Sequence, residues 1–423
     1  MKKWFKLDNA ANIYPSTQTS DWTAMFRLSV TLTEDVDLRI LEEAQIHTLK
    51  RFPSFATRLS KGLFWHFFEH IDGAPPILKD VYNPTQPLRF RRNKYFMYRL
   101  LYYKNRISAE FFHALTDGTG AMTFLLSLIA EYLRLKYGLE VVPSKYVLSC
   151  SDSPEPEEYE DAFRRYAGTS TVGLNDAPSY HYGGTAVPLN KLLIISGEVP
   201  TEALHAKAKD AKTSIGAFLA AVLIYSIYKK QKSEKSERAL RHDVKISLPI
   251  NLRRFFPSKT VRNFSSFINP GIKSRLGDYT FEEVLEQVEH FMGMNITEKE
   301  LRARFTGYVN IEKNLLLRIV PLFVKDLLLK TGHSLTANRT SASTLSNLGM
   351  VEVDESIRQY IWRIEFMLGR SYEKRASCAV VSYNGNTVIS FSRTIVEADI
   401  ERNFFRQLVE MGIPVAIESN GRG

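Results

Sequence analysis

The chain has 423 residues, 44% hydrophobic and 24% charged, with a formal net charge of +10. That length exceeds one typical core, so two domains are the natural expectation, and the ordinary composition lets each bury its own core. Only two cysteines occur, Cys150 and Cys378, which excludes a disulfide scaffold and a cysteine zinc site and fits a reducing, cytoplasmic compartment.

The basic start, Met1-Lys2-Lys3-Trp4-Phe5-Lys6, runs into polar residues instead of an apolar stretch, so no signal peptide is expected. Residues 25–33 predict a strand. Residues 37–51 predict an amphipathic helix with Leu41, Ala44, Ile46 and Leu49 inward, ended by Pro53. Residues 63–71 and 96–103 predict strands. In residues 106–112, Ile107, Ala109 and Phe111 alternate with Ser108 and Glu110, a strand that puts His113 on the apolar side. The period then changes. Met122, Leu125, Leu126, Ile129, Tyr132 and Leu133 follow the three–four spacing of a buried helix ending near Tyr137.

From Ser151 the sequence turns acidic and proline-rich, as in Ser153-Pro154-Glu155-Pro156-Glu157-Glu158. Residues 151–188 are therefore the expected linker between an N-terminal half, 1–150, and a C-terminal half, 189–423. The second half restarts with a strand over 191–195 and a helix over 201–211, with Thr201 as N-cap. A strongly apolar helix over 214–229 and a strand over 244–249 follow. Helices are expected over 280–294 and 297–330, the latter broken near Pro321. Extended segments over 341–353 and 363–368 precede a hairpin about Asn384-Gly385. A closing helix over 397–411 and a last strand over 414–417 complete the chain. The helices around Leu125 and Leu219 are too short and interrupted to span a membrane.

The halves echo one another. Aligning strand–corner–helix units sets Phe391-Ser392-Arg393-Thr394-Ile395-Val396-Glu397 under Phe111-Phe112-His113-Ala114-Leu115-Thr116-Asp117. Arg393 then occupies the histidine's slot, so one active histidine is expected between two similar halves.

His113-Ala114-Leu115-Thr116-Asp117-Gly118 spells His-x-x-x-Asp-Gly. A lone histidine is more often structural than catalytic, and Asp117 is also readable as a helix cap. The full pattern between strand and buried helix favours a catalytic corner. Rival motifs are weaker. His66-Phe67-Phe68-Glu69-His70 spells an inverted zinc-protease pattern, but on a strand instead of the helix that chemistry needs. Gly118-Thr119-Gly120 lacks the third glycine of a dinucleotide loop. No metal is expected. Basic clusters at Arg89 to Lys94, Lys229 to Arg238 and Arg253-Arg254 come with no nucleic-acid motif, so a small polyanionic cosubstrate fits better than DNA or RNA.

The corner resembles the active-site motif of the superfamily containing chloramphenicol acetyltransferase, peptide-synthetase condensation domains and alcohol acyltransferases, and especially the stand-alone alcohol acetyltransferase-like proteins. Condensation domains usually carry a second histidine where this chain has Phe112. The resemblance implies an α+β fold of two similar halves, each a mixed sheet flanked by helices, with an active-site tunnel between them. It implies that His113 is a general base acting without an acyl-enzyme, that Asp117 is a structural anchor paired with Arg253 (Arg254 being the alternative), and that Gly118 keeps the tunnel open. Ser346 or Asn347, in Ser343-Thr344-Leu345-Ser346-Asn347-Leu348-Gly349, is implied as an oxyanion or substrate contact. The implied function is transfer of an acyl group, acetyl among the options, from acyl-coenzyme A to a small alcohol. The alternatives are an amine acceptor, a carrier-protein thioester donor, or a silent binding protein of the same fold.

Overall fold

The computed structural model describes residues 4–19, 22–81, 83–173, 176–189, 191–335, 339–371 and 374–421. Two mixed sheets flanked by helices carry the fold, the α+β architecture that the family resemblance implies. The first sheet has the order Ile361–Leu368, Met25–Leu32, Arg106–Phe112, Tyr98–Tyr103, Ile77–Lys79. Its strands are antiparallel except the outer pair, Ile77–Lys79 with Tyr98–Tyr103. The helices Leu38–Arg51 and Gly118–Tyr137 bury its apolar side, where Phe55 stacks on Phe124 at 4.3 Å and meets Phe111 edge-on.

The motif strand, Arg106–Phe112, is buried on both sides. Glu110 accepts from Arg27 Nε at 2.8 Å and from Arg99 Nε at 2.6 Å, and Ser108 pairs with Ser29 at 2.9 Å. The polar half of its alternation is thus a satisfied internal layer, the condition under which buried charge is tolerated.

The second sheet runs Ser265–Ile268, Val244–Asn251, Ser343–Val351, Ala376–Tyr383, Asn386–Arg393, Leu193–Pro200, Ala416–Ser419. Ser343–Val351 lies parallel to both its neighbours. The helix Ile215–Ser233 is buried along most of its length, capped by Ser214 and packed beside Phe281–Asn295 and Asp399–Glu410. Among the described residues no single helix is long and apolar enough to cross a membrane. The pair Thr201–Asp210 and Ile215–Ser233 satisfies that test only jointly and bends by 84°.

The two sheets are stitched together. Ile361–Leu368 leaves the second half and pairs with Met25–Leu32, with Phe366 opposite Leu28. The intervening acidic segment also packs on both halves. Glu158 pairs with the guanidinium of Arg51, while Ala162 and Phe163 join a small core with Leu252, Phe256, Phe264 and Phe305.

Three local expectations change. Ile46 is exposed, because Leu41, Ala44, Thr48 and Leu49 define the inner stripe and Ile46 points about 160° away from Ala44. The aromatic strand starts at His66, since Gly62 to Trp65 form the preceding turn with Leu63 in solvent. Pro200 takes the N-cap position expected for Thr201, whose hydroxyl pairs with Thr387.

Candidate active site

The corner after Arg106–Phe112 is held by the strands beside it. Phe112 N–H donates to Met97 O and His113 N–H to Ala24 O, each at 2.8 Å. Asp117 then caps the helix Gly118–Tyr137, its Oδ1 accepting from Gly120 N–H at 3.0 Å. Gly120 is sterically required. A Cβ there would lie 1.9 Å from Val261 O, the same carbonyl that accepts from Thr116 Oγ1 at 2.6 Å.

His113 is half-buried between two rings. Tyr14 stacks on it at 4.6 Å and 13°, and Phe26 meets it at 5.0 Å and 60°. Its Nδ1 lies 3.1 Å from Asn263 Oδ1. The Asn263 amide is oriented by its own donors, Nδ2 to Ala114 O at 3.3 Å and to Asp8 Oδ2 at 3.4 Å. Oδ1 is therefore the atom facing the imidazole. Because it can only accept, Nδ1 carries the proton and Nε2 keeps its lone pair. Burial holds the imidazole below its ordinary 6.5, against opposing contributions from its own backbone, Asp117 and Asn263. The ring is neutral at pH 7, the state a base requires. Behind Asn263, burial pushes the Asp8 carboxyl up to about 7 despite the nearby Arg262.

Asp117 faces away from this chemistry. Its Oδ2 accepts from Arg253 Nη1 and from Phe264 N–H, both at 2.8 Å. Arg253 is saturated by backbone carbonyls, donating from Nε to Thr260 O at 2.9 Å and from Nη2 to Arg262 O at 2.6 Å. Arg254 is exposed. Asp117 and Arg253 thus form a buried, hydrogen-bonded tie between the halves, with both Asp117 oxygens accepting hydrogen bonds.

Gly118 abuts the second half. A Cβ there would come within 2.7 Å of Leu348 Cδ2, on the strand Ser343–Val351. Two positions before Leu348, Ser346 is half-buried, and its hydroxyl has no partner among the described residues. Asn347 uses Oδ1 to accept from Gly349 N–H at 2.8 Å, which leaves its Nδ2 as a donor. Neighbouring strand residues face opposite ways, so Ser346 and Asn347 do not share a side, and Asn347 Nδ2 lies beside Gly216 at the start of the helix Ile215–Ser233.

Asn263 and Tyr14 escaped the sequence reading. Asn263 lies 150 residues from the histidine, and no local pattern links them. The rival motif separates: His66 Nε2 meets Asp326 Oδ1 at 3.2 Å, whereas His70 faces Asp72 at 3.6 Å. They sit on a strand, where that spacing spreads them along its length. Burial pushes the Cys150 thiol up to about 11 and Cys378 well above its ordinary value, so neither is an activated thiolate.

A family profile described as alcohol acetyltransferase matches residues 190–411, a stretch that excludes the histidine corner. The fold is similar to that of polyketide synthase associated protein 5 from Mycobacterium tuberculosis, at 13% identity, 95% coverage of this chain and 96% of that one, with a TM-score of 0.64. It is also similar to F. sporotrichioides TRI101 complexed with coenzyme A and T-2, at 14% identity, 99% and 100% coverage, and a TM-score of 0.62. The first condensation domain of the CDA synthetase aligns at 13% identity, 96% coverage of each chain and a TM-score of 0.59. At these identities the likeness is one of fold. No curated protein sequence matches the chain.

Proposed function

The chain belongs to the alcohol acetyltransferase family, and from that premise we propose that it transfers an acyl group, acetyl first among them, from coenzyme A to an alcohol. His113 Nε2 takes the hydroxyl proton as the alcohol oxygen attacks the thioester carbonyl. The carbonyl oxygen becomes an oxyanion, for which Ser346 or Asn347 is the donor. Collapse breaks the carbon–sulfur bond, and the imidazolium returns its proton to the leaving thiolate. Electrons and protons balance without an acyl-enzyme. Asp117 and Arg253 are positioning residues that hold the corner against the second half. Gly118 leaves room between the corner and Leu348.

The observation that carries this reading is the fixed imidazole: Asn263 holds Nδ1–H, and the free lone pair belongs to Nε2. The test is free-thiol release from acetyl-coenzyme A with a panel of alcohols and amines. His113→Ala is expected to lower turnover by about 10²–10⁴-fold with an unchanged melting temperature. Wild-type turnover in that variant would sink the assignment of the base. A preference for amines would overturn the alcohol clause alone.

A further inference from the structure

A cluster of exposed apolar residues lies between residues 311 and 327. Three successive helices, Glu298–Lys313, Leu315–Ile319 and Leu322–Leu335, broken at Asn314 and at Pro321, carry the exposed apolar residues Ile311, Leu315, Ile319, Phe323 and Leu327. These side chains are 59–75% exposed, although a soluble helix normally turns its large apolar residues inward. The neighbouring turn adds Leu63 and Trp65. It is fixed there by Leu322 N–H donating to Leu63 O at 2.9 Å and by Lys325 Nζ lying 3.8 Å above the Trp65 ring.

The charges along this segment are mostly basic. Residues 311–331 contain Lys313, Arg318, Lys325 and Lys330 against only Glu312 and Asp326. Both acids are occupied by the rest of the protein. Glu312 accepts from Asn9 and Arg164, and Asp326 from Ser16, while His66 lies 3.2 Å from Asp326. An exposed apolar cluster with an interfacial tryptophan, edged by lysine and arginine, has the chemistry of a helix lying in the plane of an anionic lipid surface.

We propose that this face docks the protein onto an anionic lipid surface. The surface is coupled to the candidate site through one short helix, Ile13–Thr17. Its Ser16 donates to Asp326 of the docking helix at 2.6 Å, and its Tyr14 stacks on His113. Resting on the acyl-transfer reading, a further clause follows: the acceptor is an apolar alcohol dissolved in the membrane, which reaches the histidine from the docked side.

Flotation with vesicles tests the docking without turnover, so it stands or falls separately from the acyl-transfer reading. Wild-type protein is expected to float with phosphatidylcholine vesicles that contain phosphatidylserine, less so at high salt, and poorly with phosphatidylcholine alone. The pair Phe323→Ser and Leu327→Ser should reduce flotation by about tenfold or more, with an unchanged melting temperature. Lys313→Glu with Lys330→Glu should weaken binding to the anionic vesicles only. Wild-type protein that stays unfloated overturns the proposal, as does flotation untouched by the serine pair. A dimer in solution that the serine pair dissociates, without vesicle binding, would assign the face to a second copy and overturn it too. For the acceptor clause, the serine pair should slow turnover of a long-chain alcohol supplied in vesicles and spare a water-soluble one. Equal slowing of both overturns that clause.

Discussion

The corner at His113 and the corner at Arg393 are built alike and differ in one chemical capacity. Each follows a strand paired antiparallel with an earlier strand of its own half, Arg106–Phe112 with Met25–Leu32 and Asn386–Arg393 with Leu193–Pro200. Each has a carboxylate four residues on that ties the corner to a distant segment. Asp117 receives Arg253 and Phe264 N–H, and Glu397 receives the N–H and hydroxyl of Thr185, both at 2.8 Å. The residue at the head differs. His113 offers a neutral nitrogen with a lone pair. Arg393 is a buried cation with none, donating from Nε to Ile395 O at 3.1 Å and lying 3.6 Å from Glu401. The carboxylate is thus the architectural part of the corner, and in the proposed reaction the histidine with its Asn263 is the part that moves the proton.

Variants that break this contrast rank from large effects to small. His113→Ala removes the lone pair, and its expected loss of about 10²–10⁴-fold in turnover is the greatest. Asn263→Ala releases the ring from its tautomer and should cost about 10–100-fold. Its pH profile separates this from general damage. In the wild type the acid limb of kcat/KM should lie below 6.5, since burial disfavours the imidazolium. The Asn263 contact favours the charged form, so its removal should move the limb lower still. An acid limb above 6.5 would contradict the assignment. Asp117→Asn keeps the helix cap but leaves Arg253 uncompensated. A stability loss of about 3–5 kcal/mol in urea titration is expected, with activity falling alongside it. Unchanged stability and rate would argue against its anchoring role.

Gly118→Ala drives a methyl into Leu348, costing about 1–3 kcal/mol, and Leu348→Ala in the same chain should recover part of that. Arg393→Met is the reciprocal control. It should leave turnover within about twofold while lowering stability by about 1–3 kcal/mol, because the buried Glu401 loses the guanidinium that lies 3.6 Å from it. A large rate loss there would mean that the second corner also takes part in the chemistry.

The strand–corner–helix unit was legible because hydrophobic period changes from two to three–four across His113. The hairpin was legible because Asn384 and Gly385 favour the positive φ values, 46° and 83°, that they adopt. Two similar mixed sheets with flanking helices came from the resemblance. What local pattern cannot encode is pairing at a distance. Glu110 reads as the outward half of an alternating strand, yet Arg27 and Arg99 keep it inside. Nothing in Ile361–Leu368 tells which sheet it joins. Asn263 is one asparagine among many until the fold lays it against the imidazole. The Asp117–Arg253 candidate pair came from the resemblance, with Arg254 left open; geometry turns Arg253 inward and leaves Arg254 in solvent.

The exchanged strand has a consequence for synthesis on the ribosome. Met25–Leu32 emerges early, but its outer neighbour, Ile361–Leu368, is translated more than three hundred residues later. At ordinary elongation rates the first sheet waits on the order of tens of seconds with one edge unpaired. During that interval Phe26, Leu28 and Val30 lie along a strand able to pair with any other exposed chain. Nascent chains stalled before residue 361 should therefore draw chaperones at that edge, and release once the last strand closes it.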